Sequence, residues 1–131
     1  MGLPAMRVAK LDGGSVLYYP RGPMGRHTFA VTLGPDGMMR GIDQRLATEN
    51  IDKLVVGATT KTEAREIFGP PDPDLVSQLP LSEREVWEYR WIDSGDKRIL
   101  WLQFSADGLL REVINTHDFE ADGPSGRRSQ R

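Results

Sequence analysis

Two blocks of alternating apolar and polar positions lie on either side of a short helical stretch. In the first block the runs VLYY, HTFAVTL and MMRGI are divided by glycine-rich turns. His27, Phe29, Val31 and Leu33 alternate with Thr28, Ala30 and Thr32, so a strand here has one apolar face and one small, polar face. In the second block EVWEYRW, RILWLQF and LLREVI are divided by IDSGDK and SADG. Each block predicts an antiparallel three-stranded meander.

Between the blocks, residues 50–71 predict two short helices. Ile51, Leu54 and Val55 fall at helical spacing, and Gly57 follows where a left-handed C-cap residue is wanted. Thr60 precedes Glu63 by three residues, so its hydroxyl can take the Glu63 N–H while the Glu63 carboxylate reaches back, a capping box. Ala64, Ile67 and Phe68 continue the apolar stripe until Gly69, Pro70 and Pro71 stop it, because proline has no N–H and restricts the residue before it. So short a helix does not persist alone in water and has to lie on sheet. The expected fold class is α+β, ordered β-β-β-α-α-β-β-β, with two three-stranded meanders flanking the helix pair. Residues 1–14 carry little pattern, and 71–84 read as a loop.

The second block repeats the first at a constant offset of 71 positions, without a gap from Val16 to Gln44. Tyr18 then meets Tyr89, Phe29 meets Leu100, Val31 meets Leu102, Leu33 meets Phe104, and Asp36-Gly37 meets Asp107-Gly108. Asp-Gly is a favoured turn on steric grounds alone. Coincident alternation, turn position and strand length point further, to an internal duplication. Residues 1–46 read as a truncated unit that has lost its helices, 47–116 as a complete unit, and 117–131 as a disordered tail of glycine, serine and charge. The two meanders are expected to join edge to edge over the single helix pair. A homodimer that supplies the missing lid is the second possibility.

Composition narrows the chemistry. The 131 residues include no Cys and only His27 and His117, so disulfides, thiolate chemistry, a metal cage and a cofactor are not expected. A net charge of −2 gives no general attraction for nucleic acid. The start, MGLPAMRVAKLDGG, lacks the long apolar core of a signal peptide, and no stretch has the length of a membrane span. The reading is a cytoplasmic protein, or a fragment of a longer exported precursor.

The run from Ile51 through Pro71, followed by VWEYRW, LQFSADG and REVI, resembles the SmpA/OmlA family of small outer-membrane lipoproteins, the BamE-like proteins. Gly57, Thr59, Gly69, Pro71, Trp87, Tyr89, Phe104 and Gly108 stand at the family's motif positions, with Thr60 and Glu63 supplying the cap. Each also has a structural explanation as cap, turn or core. YPRGPMGRHTFAV looks like the family's variants with two tandem units, an arrangement shared by the beta-lactamase inhibitor proteins. The family's signal peptide and lipidated Cys are missing from this sequence, so the anchor was removed or never present. The resemblance implies a non-enzymatic domain at the periplasmic face of the outer membrane, one that assists outer-membrane protein assembly by binding a protein partner. The alternative is an inhibitor that blocks a secreted or periplasmic enzyme.

Two surfaces are candidates for that contact. If the helices pack on the face of Phe29, Val31 and Leu33 and on that of Leu100, Leu102 and Phe104, the second block's other face holds Glu88, Arg90, Ile99, Trp101 and Gln103. Trp beside Arg is a binding-patch composition. In the other reading Trp101 is covered by the neighbouring meander or by the loop around Leu75 and Leu79. The turn holding Arg21, Met24 and Arg26 offers two guanidinium groups and a thioether to an acidic partner, or is simply solvated. Trp87, Tyr89 and Trp91 share the opposite parity and read as core. His117, Asp118 and Glu120 are the one cluster of imidazole and acid, with nothing around them that makes a catalytic site.

Overall fold

Strand pairing organises most of the chain. The structure is a computed structural model that describes residues 2–21 and 26–122. It contains two four-stranded antiparallel sheets, each a meander in chain order. The first sheet holds β1 (Met6–Ala9), β2 (Ser15–Arg21), β3 (His27–Leu33) and β4 (Met39–Gln44). The second holds β5 (Val76–Leu79), β6 (Arg84–Asp93), β7 (Asp96–Phe104) and β8 (Leu110–His117). Between them in the chain lie α1 (Thr48–Ile51), α2 (Lys61–Phe68) and a 3-10 turn at Pro73–Leu75, and a second 3-10 turn at Phe119–Asp122 follows β8.

This corrects the β-β-β-α-α-β-β-β expectation in three respects. Each meander has a fourth strand at its start, β1 and β5, each four residues long. The sheets are not joined edge to edge, since no strand of one pairs with a strand of the other. And the first helix is a single turn, leaving α2 as the one helix of substance. Strand-like pairing displaces the helix expected through Val55. The Gly57 N–H donates to the Leu110 carbonyl at 2.7 Å, and the Leu110 N–H donates to the Thr59 carbonyl at 2.8 Å. Gly57 adopts φ +88° to make that turn, which leaves Val55 and Val56 exposed.

The last two strands of each sheet pair in matching register at the offset of 71. Val31 pairs with Ile42 as Leu102 pairs with Val113, and Leu33 with Met39 as Phe104 with Leu110. Both ladders break register at the same step, between Thr32 and Leu33 and between Gln103 and Phe104. The turns match as well. Asp36 Oδ1 accepts the Met38 N–H as Asp107 Oδ1 accepts the Leu109 N–H, and Arg40 and Arg111 pair with those same aspartates.

Across β2 the correspondence slips by one residue. Tyr19 pairs with Phe29 as Tyr89 pairs with Leu100, so Tyr19, and not Tyr18, holds the position of Tyr89. Arg21 pairs with His27, leaving 22–26 between them, while Trp91 pairs with Arg98, leaving 92–97, one residue more. A slip of one residue turns every side chain of the strand to the other face.

The main core forms where α2 lies on the second sheet. Ala64 and Phe68 are fully buried among Trp87, Tyr89, Leu100, Leu102, Phe104 and Leu110. The capping box is present: Thr60 Oγ1 accepts the Glu63 N–H at 3.1 Å, and Glu63 Oε1 accepts the Thr60 N–H at 2.9 Å. At its C-terminal end α2 is held from both sides. The Tyr89 hydroxyl donates to the Gly69 carbonyl at 2.9 Å, and the Tyr18 hydroxyl of the first sheet donates to the Glu66 carbonyl at 2.6 Å. Behind Tyr18, a smaller cluster joins Val16 and Ala30 with Met6 and Val8. The layers therefore run sheet, helix, sheet, with one helix shared. Among the described residues no helix is long and apolar enough to cross a membrane.

Candidate protein-binding faces

Tyr18 and Tyr19 take opposite faces of the first sheet, and α2 lies on that of Tyr18. Val16, Tyr18 and Ala30 turn toward α2. Leu17, Tyr19, Phe29, Val31 and Leu33 turn away, although they hold the positions of Trp87, Tyr89, Leu100, Leu102 and Phe104 beneath the helix in the second sheet. The expectation that the helices cover Phe29, Val31 and Leu33 is therefore corrected: neither core cluster includes any of the three, although Val31, like Tyr19, is only 7% exposed. Met39 is 63% exposed where its counterpart Leu110 is 0%, and Ile42 is 50% exposed.

Side chains on this face close over one another. The Arg21 guanidinium lies 5.2 Å from the Tyr19 ring centroid, and the His27 and Phe29 rings stack at 6.1 Å with 8° between their planes. Arg7, Arg21 and His27 share the face, and its described strand positions include no carboxylate. Asp43 lies on the other side, opposite Ala30, with its carboxylate on Arg45.

The second sheet also has an outward face, and it carries Trp101, Arg90 and Gln103. Trp101 is half-buried, and its indole N–H donates to Glu88 Oε1 at 3.0 Å. Arg90 Nε donates to the other oxygen of the same carboxylate at 2.8 Å. Gln103 Oε1 accepts from Arg84 Nη1 at 3.1 Å. A hollow of about 490 Å³ lies over Trp101 and Ile99, rimmed by His117 and by Phe119, which is 68% exposed.

Arg26 is not displayed to a partner. It is 3% exposed; Nη2 meets Asp118 Oδ2 at 2.6 Å, and Nη1 donates to the Trp91 carbonyl at 3.2 Å. Arg26, the residue before β3, is thus anchored to the second sheet, while Met24 lies outside the described residues. The cluster at the chain's end is divided as well. Asp118 faces Arg26, whereas His117 Nδ1 meets Asp96 Oδ1 at 2.7 Å. Hydrogen bonds from Arg98 and then His117 hold the Asp96 carboxyl below its ordinary range. Among the described residues no three His, Cys, Asp or Glu side chains stand close enough to hold a metal ion.

A third feature was not anticipated, a cleft of about 380 Å³ between the two sheets, walled by Pro20, Pro70, Pro71 and Pro73 with Thr28 and Tyr89. The proline run is its sequence signal, but nothing local pairs that run with Pro20.

The motif residues take structural positions. Thr59 Oγ1 accepts the Val55 N–H, Gly69 and Gly108 adopt positive φ, Pro71 lines the cleft, and Trp87, Tyr89 and Phe104 are core. Comparison of the chain with models of known families, with curated proteins and with solved structures gives no match.

Proposed function

We propose that this chain is a non-catalytic protein-binding module, a scaffold of the bacterial cell envelope. The observation that carries the reading is the outer face of the first sheet, where Met39 and Ile42 stand exposed beside half-buried Leu17, Phe29 and Leu33 in positions that in the second sheet lie beneath a helix. An apolar patch rimmed by polar groups is the signature of a protein contact. The outward face with Trp101, Arg90 and Gln103 offers a second, more polar contact.

The envelope setting, at the periplasmic face of the outer membrane, and the link to outer-membrane protein assembly rest on the motif resemblance to the BamE-like proteins. A second reading, an inhibitor that blocks a secreted or periplasmic enzyme, draws on the same open face, which suits a partner that docks as a rigid surface.

Capture from a bacterial envelope extract tests the proposal. The immobilised chain retains a protein partner, and Ile42→Glu, at a half-exposed position, releases it without lowering the melting temperature. Equal retention by the two proteins would contradict the assignment of this face. If the retained protein is an assembly factor the scaffold reading gains support; a secreted enzyme inhibited on binding favours the second.

A further inference from the structure

We infer that the open face of the first sheet receives an amphipathic α-helix supplied by another protein, its apolar stripe bordered by carboxylates. This rests on the protein-binding reading and names the kind of partner. In the second sheet the same positions are closed by a helix. Ala64 and Phe68 reach into Trp87, Tyr89 and Leu100, the Lys61 N–H at the start of α2 donates to the Gly108 carbonyl, and Gly57 and Thr59 before it hydrogen-bond to the backbone of Leu110. In the first sheet, half-buried Leu17 and Phe29, with Tyr19 7% exposed between them, hold those positions with the same pairing. Met39 and Ile42 stand exposed on the strand whose counterpart carries Leu110 and Val113.

The chain's own helix is committed elsewhere. The Tyr18 hydroxyl holds the Glu66 carbonyl from the back of the first sheet, so α2 lies on the side opposite the open face. Charge then selects among helices from outside. Arg7, Arg21 and His27 share the face with no carboxylate among its described strand positions. Two copies stacked front to front would set the Arg7 and Arg21 guanidinium groups of one against those of the other. A helix with Asp or Glu beside its apolar stripe meets them with opposite charge, in the helix-on-groove mode that apolar anchors at i, i+3, i+4 and i+7 serve.

The test titrates the full chain into fluorescent synthetic peptides. One copies residues 46–69, the second sheet's lid. Another adds Lys53→Glu, Lys61→Glu and Arg65→Glu, and a control replaces Ile51, Leu54, Ile67 and Phe68 by Ser. The first two bind saturably, the acidic one about tenfold more tightly at low salt, the advantage shrinking as salt rises. The control does not bind, and Ile42→Glu in the full chain abolishes binding of the other two. Absence of saturable binding, or binding indifferent to Ile42→Glu, overturns the inference. So does a dimer, seen by light scattering, that Ile42→Glu dissociates, since a second copy would then occupy the face. If envelope capture depends on Ile42 while no peptide binds, the helix falls and the protein-binding reading stands; if neither depends on Ile42, both fall.

Discussion

The guanidinium of Arg26 stands 2.6 Å from the carboxylate of Asp118, and both side chains are 4% exposed. One residue immediately precedes β3 and the other immediately follows β8, so this pair fastens the first sheet to the end of the second. The Asp118 N–H also donates to the Lys97 carbonyl at 2.8 Å, which sets the carboxylate's position. Removing one partner leaves a buried charge without its counter-ion, at a cost of about 3–5 kcal/mol. Arg26→Met and Asp118→Asn are each expected to lower the unfolding free energy by that order in a urea titration. Arg26→Met with Asp118→Leu recovers much of the loss; a double variant no better than the singles would show that the pair does not act as a unit.

Gly69 ends α2 at φ +90°, and a Cβ there would stand 2.8 Å from Thr28 Cγ2 and 3.4 Å from Tyr18 Cδ2. Gly69→Ala combines backbone strain with a clash against the first sheet. It is expected to cost about 1–3 kcal/mol. Adding Thr28→Ser removes the methyl and returns part of that cost, measurable as a partial recovery of the denaturant midpoint. An unchanged midpoint in Gly69→Ala would contradict the close approach of helix and sheet.

At the other end of α2, Thr60→Ala removes the hydroxyl that accepts the Glu63 N–H and is expected to cost about 1 kcal/mol. Trp101→Ala strips a half-buried ring from the outward face, whereas Trp87→Ala empties a fully buried site and costs about 3–5 kcal/mol. Calorimetry of both variants checks the order; a larger loss at Trp101 would place that ring in the core.

Burial pushes the Tyr89 phenol far above its ordinary 10, with Arg65 pulling weakly the other way. Burial likewise raises Tyr18, against the pull of Arg45. Both phenols stay neutral in the fold and ionise normally in the unfolded chain, so their contribution is complete below pH 10 and lost as pH rises beyond it. The urea midpoint is therefore expected to fall above about pH 10. Tyr89→Phe falls less steeply there, at the cost of its bond to the Gly69 carbonyl. An equal slope in the two proteins would contradict the assignment.

Chemistry written within a few residues was legible in the sequence: the capping box at Thr60 and Glu63, the paired Asp-Gly turns, and the inward parity of Trp87, Tyr89 and Trp91. Two edge strands were not. MRVA and VSQL are too short to show a period, and each adjoins turn residues that mask it. The open face was hidden by Tyr18-Tyr19: either tyrosine can be laid on Tyr89, and only the pairing with Phe29 shows that it is Tyr19. The Arg26–Asp118 pair joins residues 92 positions apart, a distance that no local pattern spans.

The most direct measurement is an NMR titration of the full chain, labelled at its Ile and Met methyl groups, with the partner captured from envelope extract. The account predicts that Met39 and Ile42 shift or broaden on binding while Ile99 and Ile114 on the second sheet's outward face stay unchanged. Perturbation confined to Ile99 and Ile114, with Met39 and Ile42 unmoved, would contradict it.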